Sequence, residues 1–132
     1  MLTSIKEDEC LSIFGDVPDE KVFQFARMLR KNGADGVICA PREGLSLRSW
    51  QEFNGFKIAT PNIRPLYSLT PAEKERTKDD QDPNRQMTPG DAMKAGIDMI
   101  VIGRPITNPP LEIGGPVEAA KLVADEIAAA LR

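Results

Sequence analysis

The sequence has no histidine and only two cysteines, Cys10 and Cys39, with no Cys-x-x-Cys pair. That composition argues against a zinc site of the usual His/Cys type. It also excludes a histidine general base or a His-dependent triad within this chain. Neither cysteine has an activating partner nearby in sequence, and Cys39 sits in an apolar run that reads as a buried core thiol. No apolar run approaches the ~18 residues needed to span a membrane. The opening Met1-Leu2-Thr3-Ser4-Ile5-Lys6 lacks a signal-peptide apolar region, so the cytoplasm is the expected location. There is no excess of positive charge: the net charge is −3. That balance argues against a nucleic-acid partner, which usually leaves a basic footprint.

What is present is the composition of an ordinary globular domain, 132 residues with 41% hydrophobic and 28% charged. One internal echo organises it. Lys31-Asn32-Gly33-Ala34-Asp35-Gly36-Val37-Ile38-Cys39-Ala40 matches Lys94-Ala95-Gly96-Ile97-Asp98-Met99-Ile100-Val101-Ile102-Gly103. Each copy reads as a helix ending at a glycine, which suits the left-handed conformation just past a helix C-terminus. The apolar run that follows reads as a strand buried on both faces, as parallel sheets require.

Before the first copy, Val22, Phe25, Ala26 and Leu29 fall at helical spacing behind the acidic start Pro18-Asp19-Glu20. Before the second, Thr88 reads as an N-cap and Pro89 as the first residue of a short helix through Lys94. A further strand is expected at Phe56–Thr60, after a helix over Leu45–Phe53. A closing helix spans about Pro116–Leu131, with Val117, Ala120, Val123, Ala124, Ile127 and Leu131 as its apolar stripe. With a short strand at the N-terminus, the order is helix–strand three times and then a helix. Such alternation implies about four parallel βα units in one α/β domain over 1–132, half of a (β/α)8 barrel that typically needs ~250 residues. The simpler alternative is a complete small α/β domain with an open four-stranded sheet. Pro61–Met87 reads as a long polar loop, either solvated or functional, on the face where barrel active sites lie.

Two arginines follow two strands: Arg64 in Thr60-Pro61-Asn62-Ile63-Arg64-Pro65, and Arg104 in Ile102-Gly103-Arg104-Pro105. In a barrel both would stand at the C-terminal face, where a phosphate is often held after the last two strands. Arginine suits phosphate because it is always charged and offers a planar fork of donors. Gly103 lets the backbone approach an anion closely. Gln81 in the long loop has an amide able to donate to phosphate. Proton-transfer candidates are poor. Asp35 and Asp98 precede strands and belong at the opposite end, pairing locally. Lys6 and Lys57 have no carboxylate cluster at a tuning spacing. Trp50 and Phe53 read as core or interface anchors.

In order along the chain, five motifs resemble the C-terminal half of bacterial orotidine 5′-phosphate decarboxylase. Leu2-Thr3-Ser4 is similar to the fifth-strand motif and Asn32–Cys39 to the sixth. Thr60-Pro61-Asn62-Ile63-Arg64-Pro65 is similar to the seventh-strand Thr-Pro-Gly-Ile-Arg-Pro. Asp80-Gln81 with Arg85-Gln86-Met87-Thr88-Pro89 resembles the loop that closes over phosphate, and Val101–Ile106 the eighth-strand motif. The resemblance implies conversion of orotidine monophosphate (OMP) to uridine monophosphate (UMP) and CO2, with no metal and no organic cofactor. It implies substrate contacts from Thr3, Arg64, Gln81, Gly103 and Arg104. The family's catalytic Lys-Asp-Lys-Asp array, with its Asp-x-Lys-x-x-Asp core, lies in the other half of the barrel and has no counterpart here, so no catalytic residue is named. Asn62 stands in place of the family glycine, a position that asparagine tolerates if φ is positive. Alone, the chain is expected to be inactive. Its expected partners are the nucleotide monophosphate and either a second copy or the missing N-terminal half. The alternatives are a non-catalytic half-barrel assembly module, or a related phosphate-binding decarboxylase of the same superfamily, a group that usually needs magnesium.

Overall fold

The computed structural model describes residues 5–77 and 85–132. The expected N-terminal strand at Leu2–Ser4 lies outside them. Seven helices and three strands follow in order: α1 (Glu7–Phe14), α2 (Pro18–Lys31), β1 (Gly36–Ile38), α3 (Pro41–Arg48), β2 (Lys57–Thr60), α4 (Pro71–Thr77), α5 (Pro89–Lys94), β3 (Met99–Ile100), α6 (Arg104–Thr107) and α7 (Pro116–Ala130). Short 3-10 turns occupy Gln51–Phe53, Leu66–Ser68 and Leu111–Ile113. The strands form one parallel sheet in the order β1-β2-β3. Gly36 pairs with Lys57 and Ile38 with Ala59; Ala59 in turn pairs with Met99, and Thr60 with Ile100. Parallel neighbours joined through helices are the βα units that the sequence implied.

The internal echo is a repeated device. Gly33 and Gly96 both take the left-handed conformation, with φ of 82° and 77°. Ala34 N–H then reaches back to the Leu29 carbonyl at 3.0 Å, and Ile97 N–H to that of Ala92 at 3.1 Å. Each is the long bond that closes a helix C-terminus ending at glycine. Each turns the chain straight into a strand. Thr88 caps α5 as expected, its side chain accepting from Asp91 N–H at 3.1 Å.

The core lies on one side of the sheet. Val22 and Ala26 of α2, Leu47 of α3, Ile58 of β2, and Phe53, Phe56, Ile63, Ala92 and Ile97 pack into one cluster. Val37, Ile100 and Ile102 lean against it from the sheet. The alternate residues on β1, β3 and the β3 exit do not. Ile38 is 65% exposed, Met99 54% and Val101 55%. The expectation that the two echo strands, β1 and β3, are buried on both faces therefore fails, although the central β2 buries Ile58, Ala59 and Thr60 in succession. Side chains alternate across a strand, and on β1 and β3 one face stays largely exposed.

Two helix expectations also change. The helix placed at Leu45–Phe53 begins earlier, at Pro41, and ends at Arg48. Trp50 then has extended backbone and the chain re-enters as a 3-10 turn. Phe53 is buried there, while Trp50 stays 51% exposed, edge-on to Phe23. On α7 the buried positions are Ala119 and Val123, whereas Val117, Ala120, Ala124 and Leu131 face outward. The reason is the partner: α7 packs on α5, where a side chain on Gly90 would come within 3.2 Å of Ala130. Close approach selects the face with small residues. Lastly, α1 has no counterpart in the sequence reading, although Glu7, Asp8 and Glu9 form an acidic first turn and Gly15 closes it with φ 75°.

Candidate functional site

β2 and β3 are adjacent and parallel, and Thr60 is in register with Ile100. Arg64 lies four residues beyond Thr60 and Arg104 four residues beyond Ile100. Both arginines thus leave the same end of neighbouring strands at the same offset. Val101 N–H still bonds the Thr60 carbonyl at 2.9 Å, so the two exits start side by side. Beyond that point the exits are tied again. Tyr67 donates its hydroxyl to the Pro105 carbonyl at 2.9 Å. Burial lifts the Tyr67 phenol above its ordinary pKa, and the Glu126 carboxylate adds to this, so the hydroxyl keeps its proton and stays a donor. Glu126 also accepts the Leu66 N–H at 3.2 Å, which pins the Arg64 exit to α7.

The backbone around Arg64 is fixed from below. Asn62 has φ 64°, and it is the one non-glycine with positive φ among the described residues. Its amide donates to the Arg85 carbonyl at 3.1 Å. Ile63 bridges Met87, and Arg64 N–H donates to the Met87 carbonyl at 2.9 Å. Arg64 is half-buried, with Nη1 3.3 Å from the Ile63 carbonyl. Arg104 is exposed and opens α6, with Gly103 as its N-cap. A side chain added at Gly103 would meet nothing within 4 Å. The surrounding fold therefore leaves that spot open, and only a ligand would make the close approach matter. Thr3 and Gln81 lie outside the described residues.

The long segment between Arg64 and Thr88 is not one structureless loop: it carries the Leu66–Ser68 turn and α4. Its distal end holds a buried ion pair that sequence spacing did not reveal. Arg85 is 6% exposed and Glu43 2%, and Arg85 Nη2 lies 2.5 Å from Glu43 Oε1. Arg85 Nη1 donates to the Ile5 carbonyl at 3.1 Å. Burial pushes the Glu43 carboxyl up, and the Arg85 guanidinium pulls it only part of the way back. Tyr67, Glu126 and Glu43 were all missed. The available signal was modest: Tyr67 is the sole tyrosine and follows Arg64 by three residues.

At the opposite end of the strands Asp98 gathers charge. It pairs with Arg48, accepts from Lys57 Nζ at 3.1 Å and takes the Ile58 N–H at 2.9 Å. Burial works to raise its carboxyl pKa, but the Ile58 N–H, Lys57 and Arg48 together hold it below the ordinary value. Asp98 therefore pairs locally, as expected, while Lys57 does have a carboxylate that the sequence did not show. Cys39 is buried, and desolvation, with Glu43 nearby, pushes its thiol up to about 12. Such a thiol is inert at neutral pH. Among the described residues no cluster of three or more His, Cys, Asp or Glu side chains forms a metal-binding group.

Residues 1–122 match the model of the orotidine 5′-phosphate decarboxylase / HUMPS family. The chain belongs to this family. It is 38% identical over 129 residues to orotidine 5′-phosphate decarboxylase of Rhodospirillum rubrum, covering 96% of this chain and 46% of that protein. With the enzyme of Trichlorobacter lovleyi it shares 35% identity, covering 100% of this chain and 49% of the relative. The crystal structure of orotidine 5′-phosphate decarboxylase from Lactobacillus acidophilus superposes with a TM-score of 0.63 at 31% identity, covering 96% of this chain and 46% of that one. The chain thus spans about half the length of the curated relatives it matches. Its parallel α/β architecture is the C-terminal half of the family's TIM barrel.

Proposed function

We propose that this chain carries the phosphate-binding half of an orotidine 5′-phosphate decarboxylase, a pyrimidine-biosynthetic enzyme of the cytoplasm. The observation that carries the reading is the matched offset of Arg64 and Arg104 on two adjacent parallel strands, with their exits tied by Tyr67. Arg64, Gly103 and Arg104 are the substrate contacts that the geometry supports, with Thr3 and Gln81 joining them by family likeness. Two guanidinium groups and a backbone N–H are donors suited to a phosphate dianion. Phosphate binding at a distance from the base is then used to stabilise the transition state there.

Chemistry at the base needs a proton donor, and among the described residues nothing at this end of the sheet provides one. Tyr67 is held as a donor to a carbonyl, Cys39 is buried, and Lys57 sits at the other end with Asp98. The chain alone therefore binds nucleotide weakly and turns nothing over. Catalysis requires the strands that bear the lysine–aspartate array. Ile38, Met99 and Val101 form the face on which those strands, or a second copy of this chain, would pack.

Titration of UMP against the purified chain, followed by NMR, tests the site. Replacing a charge-assisted contact costs about 1.5–3 kcal/mol. Arg64→Ala and Arg104→Ala should each weaken binding by roughly tenfold or more, and Gly103→Ala should weaken it while leaving thermal stability unchanged. Equal affinity for UMP and uridine, or indifference to both arginine changes, would sink the phosphate assignment.

A further inference from the structure

One buried residue ties three separate segments, two through its side chain and one through its backbone. The Arg85 guanidinium holds Glu43 at the start of α3 and the carbonyl of Ile5, and the Arg85 backbone carbonyl is held by Asn62 at the β2 exit. Two residues beyond Asn62 is Arg64, whose N–H bonds Met87, itself two residues beyond Arg85. The β2 exit and the 85–87 segment are therefore laced together, and Glu43 is the fixed point to which the lacing is attached.

We infer that Glu43 and Arg85 are positioning residues that set the backbone bearing Arg64, and through it the pose of the anion site. This deepens the phosphate-binding reading and rests on it for its effect on ligand. Neither side chain belongs to the expected substrate contacts, and both are buried.

A buried ion pair is weak evidence for stability, because desolvation offsets the Coulomb attraction; its better-attested use is to fix one arrangement among several. The direction of the Glu43 titration agrees, since burial raises its carboxyl above the ordinary value and the fold thus penalises its charge. Glu43→Gln is thus a substitution the fold accepts. It keeps an acceptor for Arg85 but gives up the carboxylate's charge, which weakens the bond. Two readouts separate positioning from general support. The first needs no ligand: amide hydrogen exchange of the whole chain. Arg64 N–H exchange should quicken about fivefold or more in Glu43→Gln. The Lys57 and Asp98 amides, bonded to Asp35 and Ile58 carbonyls in the sheet, should be unchanged. The second readout is UMP affinity, which should fall by a similar factor. Should Glu43→Gln fail to fold, the double variant Glu43→Met/Arg85→Met removes both charges, leaves no orphaned ion, and answers the same question.

Unchanged Arg64 exchange overturns the inference, as does acceleration shared equally by Lys57 and Asp98, which would mean simple destabilisation. Failure of the unaltered chain to bind UMP overturns the phosphate reading instead, and exchange at Arg64 still decides whether Glu43 and Arg85 position it.

Discussion

Substituting Ile38, Met99 and Val101 together by serine tests the uncovered face of the sheet. These side chains are 65%, 54% and 55% exposed and stand on the strand face away from the core. Fully burying such a side chain stabilises by about 1.5–3 kcal/mol, so roughly half of that, about 1–1.5 kcal/mol each, is unrealised in the chain by itself. Over three residues the face offers about 3–5 kcal/mol, and a symmetric pair of chains about twice that. Association costs about 4–15 kcal/mol in lost freedom, so self-pairing through this face alone gives a weak dimer, no tighter than micromolar. Strands supplied within one continuous barrel avoid that association cost and realise the full gain. Sedimentation velocity over a dilution series should show the unaltered chain associating at tens to hundreds of micromolar and the triple serine variant staying monomeric. Because the three side chains are mostly uncovered, the monomer's own stability should change by no more than about 1–2 kcal/mol. Self-association of the serine variant equal to that of the unaltered chain would refute the role of this face. An unaltered chain that stays monomeric to millimolar concentration would refute self-pairing.

Two further expectations come from buried and paired groups. Cys10 and Cys39 are both buried, and the Cys39 thiol is pushed up to about 12. The folded chain should resist a thiol reagent at neutral pH and take up two equivalents in urea, so rapid labelling of folded Cys39 would contradict its placement. Asp98 and Glu43 should divide the acid pH range. The depressed Asp98 carboxyl contributes stability that is full above its unfolded value of about 3.9 and is lost as pH falls through the folded value. The raised Glu43 carboxyl works the other way: stability falls as pH rises from its unfolded value of about 4.3 through the folded value. Urea melts as a function of pH should lose the lower slope in Asp98→Asn and the upper slope in Glu43→Gln; an upper slope retained in Glu43→Gln would mean another group causes it.

Much of the backbone was legible because its causes are local. The glycine-ended helices at Gly33 and Gly96, the Thr88 cap and the offset of Arg64 and Arg104 follow from residue type and spacing, and each stands where spacing put it. What spacing could not give was which face meets what. The α7 stripe held at Val123 but not at Val117, Ala120, Ala124 or Leu131, because α5 presents Gly90 and the close helix contact there is taken by Ala130. The two-sided burial of β1 and β3 failed for the same kind of reason: an apolar run states that a residue tolerates burial, but not that a partner is present.

The same asymmetry explains why the pairs behind the candidate site stayed hidden. Glu43 and Arg85 are 42 residues apart, and Tyr67 and Pro105 are 38 apart. Read as sequence, Arg85 belongs to a charged loop and Glu43 to the stretch just before an expected helix, both ordinary surface places. Burial changes their meaning. A carboxylate and a guanidinium drawn out of water are costly unless each completes the other, and they then tolerate little displacement. The arginines expected to meet phosphate sit at strand exits, where residue type and position suffice to suggest a role. The groups that hold those exits still are selected by contacts across the fold, which become visible only once the strands, and with them the two exits, stand side by side.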